Sequence, residues 1–95
     1  MYREDRRELF RRALSEWNTE EQMHVLQEEC AELIVAVSHY RRKRPECLFE
    51  LREELADAYI MVGQITEYLG PDFVEEMVDL KLTQVEEKLN GSKRD

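Results

Sequence analysis

Two stretches of this chain repeat apolar side chains at alternating intervals of three and four residues, and that rhythm limits the fold more than any other feature. Over residues 23–40 the positions are Met23, Leu26, Cys30, Leu33, Val37 and Tyr40. Over residues 48–69 they are Leu48, Leu51, Leu55, Ala58, Val62, Ile65 and Leu69. Such spacing keeps one stripe of a helix turned toward a neighbouring helix, so these stripes predict knobs-into-holes packing in a helix bundle.

The flanking signals divide the chain into four helices, and no segment reads as a strand. A first helix is predicted over residues 3–17, with Leu9, Phe10, Ala13, Leu14 and Trp17 on one face, stopping at Asn18. Thr19 with Gln22 has the spacing of a capping box and opens a second helix that continues to about residue 42. Pro45 suits the first turn of a third helix, where its missing N–H has no partner to lose. Gly70-Pro71 ends that helix, because glycine permits a left-handed cap and proline cannot continue the ladder. Asp72 with Glu75 repeats the capping-box spacing and opens a fourth helix that fades at Asn90-Gly91. The expected fold is all-α, a four-helix bundle-like protomer forming one domain over residues 1–90, with a frayed tail at 91–95.

The chain has 95 residues, 14 basic and 22 acidic, for a net charge of −8. A chain this short buries only about 60–65% of the surface it exposes when unfolded. With more than one apolar seam on a thin core, a homodimer or homotetramer is expected. The acidic balance disfavours nucleic-acid binding, which needs a basic surface to neutralise phosphates. Local bases do occur: five arginines within residues 1–12, and the run Arg41-Arg42-Lys43-Arg44. Both read as solvated surface, the second also complementing the dipole at a helix end. No apolar run approaches the ~18 residues of a membrane span, and the first residues have no signal-peptide core. Cys30 and Cys47 lie in helical patterns without metal-knuckle spacing, so reduced thiols in a cytoplasmic protein are expected.

One residue before each apolar stripe runs a second stripe of different character. On the second helix it is Gln22, Val25, Glu29, Glu32, Ala36 and His39; on the third it is Glu50, Glu54, Asp57, Met61, Gln64 and Tyr68. The pairs Glu29/Glu32 and Glu54/Asp57 occupy the same phase on both helices, flanked by uncharged Val25, Ala36 and Met61. If the helices pack antiparallel through a short loop, four carboxylates converge at the edge of the core. Acids three apart on a helix have Cβ atoms about 5–6 Å apart and can reach one ion. Like charges beside a core are unfavourable, and a cation relieves that. All-oxygen ligation favours Mg²⁺ or Mn²⁺ over Zn²⁺. The plainer reading is a solvated acidic flank. A weak internal echo, Glu28-Glu29-Cys30-Ala31-Glu32 against Glu53-Glu54-Leu55-Ala56-Asp57, is compatible with chance or duplication.

EECAE at 28–32 followed by ELAD at 54–57 resembles the EExxE…ExxD signature of the MazG-like all-α nucleoside triphosphate pyrophosphohydrolases. The likeness runs from about residue 17 to residue 89. It implies Mg²⁺, with Mn²⁺ as a substitute, held by carboxylates at Glu29, Glu32, Glu54 and Asp57. It also implies cleavage of a nucleoside triphosphate substrate between the α- and β-phosphates. Glu28 matches the leading acid of the motif and is assigned, with Glu29, a catalytic role: binding a second ion, orienting the attacking water, or neither if it is a plain surface acid. Lys81 and Lys88 match bases that meet phosphate oxygens in the family, although Gln84 thins that pattern. Trp17 is the best candidate to hold the base, against a simple packing role. His39 reads as a surface or packing histidine.

Three other readings compete. A di-iron bundle would need two Glu-x-x-His motifs, and only Glu21-x-x-His24 fits, pointing away from Glu29 and Glu32. Phosphoribosyl-ATP pyrophosphohydrolase, of the same superfamily, shares the paired acids. A non-catalytic helical adaptor module would use the acid stripe for Mg²⁺ or for a basic partner.

Overall fold

The computed structural model describes residues 3–92, all in four helices and their connections: α1 Arg3–Glu16, α2 Thr19–Arg41, α3 Cys47–Leu69 and α4 Pro71–Ser92. The all-α expectation holds in class and in helix number, and no strand occurs among the described residues. No helix is long and apolar enough to cross a membrane.

Several boundaries differ from the sequence reading. Asn18, not Thr19, caps α2: its Oδ1 accepts from the backbone N–H of Glu20 at 2.8 Å and of Glu21 at 3.3 Å. Asparagine is as good a cap as any residue, and its position one residue earlier pulls Thr19 into the helix. Pro45 lies in the turn between α2 and α3 instead of inside α3. That turn reverses the chain within residues 42–46 by placing Lys43 and Glu46 in the left-handed region, at φ 56° and 59°. Gly70 ends α3 at φ 99°, as its type allows, and α4 starts directly at Pro71. Residues 91 and 92 belong to α4, so Gly91 does not stop it; the remainder of the predicted frayed tail, 93–95, lies outside the described residues.

The centre of the molecule is the antiparallel pair α2–α3. Its closely packed seam is not the apolar stripe expected to form it. The buried residues are Gln22, Ala36, Ala58, Met61, Gln64 and Ile65, and four of these six belong to the acid-bearing stripe. The apolar stripe is divided: Ala58 and Ile65 are buried, Met23, Leu26, Cys30, Leu33 and Leu51 are half-buried, and Val37, Tyr40, Leu48, Leu55, Val62 and Leu69 are exposed. Small Ala36 and Ala58 and the hydrogen-bonded amides of Gln22 and Gln64 lie along that line. The bulkier aliphatics flank the contact.

α1 lies across α3. Phe10 sits over Gly63, where a Cβ would come within 2.7 Å of Phe10 Cε2, so only glycine leaves room for the ring. Beside it Arg7 Nε donates to Glu67 Oε1 at 2.7 Å, and Arg11 Nη1 is 3.7 Å from the same oxygen. The Glu67 side chain is 4% exposed. α4 departs from this body: from Glu75 to Gly91 every residue is exposed. The four helices therefore do not close into a bundle within one protomer. The radius of gyration is 16.6 Å, against roughly 12 Å for a compact chain of this length.

Candidate metal centre

Two polar pairs pin the register of α2 against α3. Near one end, Gln64 Nε2 donates to Gln22 Oε1, both side chains buried. Near the turn, His39 Nδ1 donates to Glu50, at 2.8 Å from Oε1 and 3.1 Å from Oε2. Arg44 Nη1 lies 3.4 Å from His39 Nε2. With the ends fixed in this way, the helical repeat sets Glu29 and Glu32 at the level of Glu54 and Asp57.

Three of the four acids come together there: Glu29, Glu54 and Asp57. Carboxylate oxygens of Glu29, Glu54 and Asp57 all lie within 4.8 Å of one another. Glu32 is exposed and lies outside this group, although it acts on the Glu54 carboxyl. Burial is the main cause that raises the Glu29 carboxyl above its ordinary pKa, followed by the charges of Glu32, Asp57 and Glu28. The Glu54 carboxyl is raised in the same direction, first by burial, then by the Glu32 hydrogen bond and the charges of Glu32, Asp57 and Glu29.

The chemistry of this donor set can be tested for a cation. Glu29 Oε2 and Glu54 Oε2 are buried and have no hydrogen-bond partner among the described residues. Buried carboxylate oxygens normally find a donor, because an unpaired one loses its hydration without replacement. Here the nearest neighbours are other acids, which accept and repel. A divalent cation supplies the missing positive charge and takes oxygen ligands alone, as Mg²⁺ and Mn²⁺ do. Glu29, Glu54 and Asp57 fit such an ion.

The other sequence candidates lie further out. Glu28 is exposed on α2 and pairs with His24 Nε2 at 3.1 Å, one turn back along the helix. Its charge still reaches Glu29. Trp17 follows the last residue of α1 and is 58% exposed. Lys81 and Lys88 ride on the exposed arm of α4 and not on the α2–α3 pair. Three polar pairings escaped the sequence reading: Gln22 with Gln64, His39 with Glu50, and Arg7 with Glu67. The first two had a signal, since all four residues fall on the acid-bearing stripe and antiparallel pairing sets them opposite each other. Nothing in the spacing marked Glu67, whose partner comes from a helix 60 residues away.

No family model, curated protein or solved structure matches the chain.

Proposed function

We propose that this chain is a Mg²⁺-dependent nucleoside triphosphate pyrophosphohydrolase, releasing a nucleoside monophosphate and pyrophosphate. The observation that carries the reading is the pair of partnerless buried oxygens, Glu29 Oε2 and Glu54 Oε2, within a group of three carboxylates, completed by Asp57, that two helices contribute. The resemblance of EECAE and ELAD to the MazG-like signature supports the choice of reaction.

Glu29, Glu54 and Asp57 would hold the cation. When bound, Mg²⁺ supplies charge neutralisation for phosphate oxygens and a lowered pKa for water. Until then the raised pKa values of Glu29 and Glu54 let protons offset part of the repulsion. Glu28, exposed and paired with His24, would accept the proton of the attacking water. The oxygen–phosphorus bond forms at the α-phosphorus as the bond to the β-phosphate bridge breaks, so pyrophosphate leaves. Lys81 and Lys88 are assigned to the phosphate oxygens and Trp17 to the base.

The test is pyrophosphate release from a panel of canonical and modified ribo- and deoxyribonucleoside triphosphates and phosphoribosyl-ATP, with and without Mg²⁺ or Mn²⁺. Release that requires the cation and disappears in Glu54→Gln is the expected result. Preference for phosphoribosyl-ATP would move the assignment to that relative. No release from any substrate, with melting indifferent both to Mg²⁺ and to Glu54→Gln, would refute the enzyme reading and leave an adaptor module.

A further inference from the structure

On the side of α3 turned away from the acids, α1 and α3 enclose an open groove of about 630 Å³. Leu9 and Phe10 of α1 and Tyr59 and Ile60 of α3 form its apolar walls, and Arg6 and Arg52 supply its charge. At 100° per residue, Arg52, Ala56 and Tyr59 fall on the opposite face of α3 from Glu54, Asp57 and Met61, with Ile60 on the flank. Neither arginine has an ion-pair partner among the described residues. The groove therefore offers an apolar floor with two unpaired positive charges.

α4 carries the complement. It has six acids, Asp72, Glu75, Glu76, Asp79, Glu86 and Glu87, against Lys81 and Lys88. Seven large apolar side chains on it are exposed, Met77 at 61% and Leu80 at 69% among them. Glu76, Met77, Asp79, Leu80 and Thr83 line one concave strip of the helix, so two acids flank two apolar anchors at helical spacing. A helix in water owes most of its stability to packing of its apolar face, and α4 has almost none in its own protomer.

Its own protomer cannot supply the seat. Arg52 lies eighteen residues before Gly70, roughly 27 Å along α3 at 1.5 Å per residue. Glu76 and Asp79 lie six and nine residues beyond Gly70, roughly 9–14 Å along α4. Folding α4 back would leave these acids far short of Arg52. A second copy has no such tether.

From this geometry we infer that the α1–α3 groove is the docking site for α4 of a second copy of this chain. Met77 and Leu80 enter among Phe10, Tyr59 and Ile60, and Glu76 and Asp79 reach Arg6 and Arg52. A two-fold axis repeats the contact, each protomer giving one helix and receiving one. The inference does not depend on the metal reading, because the groove contains none of the four acids and the test reads mass, not activity. It competes with the assignment of Lys81 and Lys88 to phosphate, since it seats α4 on the face of α3 opposite the acids.

Sedimentation of the full chain at micromolar concentration tests it, with two charge-reversed variants at exposed positions. Arg6→Glu/Arg52→Glu sets acids against acids, and Glu76→Arg/Asp79→Arg sets arginines against arginines. Each variant alone should dimerise at least tenfold more weakly than the wild type. In a mixture of the two, both groove contacts are complementary again, so a heterodimer should form. Circular dichroism of each variant checks that the helices remain. A monomeric wild type would overturn the inference, as would variants that dimerise unchanged or a mixture that stays monomeric.

Discussion

Replacing Gln64 by leucine tests the register on which the acid site depends. Gln64 is 4% exposed and gives its amide hydrogen to Gln22, which is 8% exposed. Leucine is of similar size, so the change removes the donor without opening much space. Gln22 Oε1 is then buried without a partner, at a penalty of about 1–3 kcal/mol. For a domain of this size 1 kcal/mol shifts the melting temperature by about 4–8 °C, so a fall of roughly 8–16 °C corresponds to the middle of that range. The extra apolar surface of leucine offsets part of this. The decisive quantity is therefore the coupling in a double-mutant cycle with Gln22→Leu. Replacing both partners by apolar groups can be nearly neutral, so the double variant should be more stable than either single one, with a coupling of about 1–3 kcal/mol. Urea denaturation followed by circular dichroism at one fixed protein concentration gives all four corners. Additive singles, with a coupling indistinguishable from zero, would refute the claim that this pair locks α2 against α3.

Other outcomes follow from the same coordinates. Glu29 and Glu54 have raised pKa values in the folded chain, so above the ordinary glutamate pKa of about 4.3 the folded state holds the extra protons. Their contribution to stability is thus present at low pH and lost as pH rises through the raised values. In metal-free solution the wild type should lose stability relative to Glu54→Gln as pH rises above the ordinary glutamate pKa of about 4.3. Saturating Mg²⁺ should reverse that loss in the wild type, and a gap that is flat or of opposite sign in thermal melts would contradict the cause assigned to these shifts. Gly63→Ala places a methyl group 2.7 Å from Phe10 and should loosen α1, lowering the melting midpoint by overpacking worth about 1–3 kcal/mol. An unchanged midpoint and unchanged protease resistance of α1 would show that Phe10 does not depend on that gap. Lys81→Ala and Lys88→Ala should each weaken turnover through a higher KM or a lower kcat while leaving metal-dependent melting intact. Turnover equal to wild type in the double variant would remove α4 from the phosphate contacts.

Helix class and number were legible because the 3–4 apolar rhythm has a single structural meaning. The stop at Gly70-Pro71 was legible for a similar reason, since few residues other than glycine accept φ 99°. Three of the acids were legible as a spacing: Glu29, Glu54 and Asp57 share one phase and come together once the helices run antiparallel, whereas Glu32 stays exposed. Which stripe would lie inside was not legible. Hydrophobicity favoured Leu55 and Val62, but closeness of approach favoured Ala36, Met61 and the paired amides of Gln22 and Gln64. Hydrogen bonding across the contact removes the usual penalty for burying an amide, and single-helix periodicity cannot register a partner on another helix. The path of α4 was hidden for a further reason. Its amphipathic pattern reports that one face needs cover without saying which surface gives it, and among the described residues that face is left open. Glu67 shows the same limit, because its burial depends on Arg7 and Arg11 arriving from α1.

The claim beneath the whole account is that Glu29, Glu54 and Asp57 bind a divalent cation between α2 and α3. Paramagnetic titration with Mn²⁺ at neutral pH, counting free ion against bound, addresses it without any substrate. The expected result is saturable binding in the wild type that is lost in Glu29→Gln/Glu54→Gln and retained in Glu86→Gln/Glu87→Gln, which removes as much charge from the exposed arm. Weak binding of equal strength in all three proteins would mean that Mn²⁺ meets only the general acidity of the surface, and the metal centre would be withdrawn.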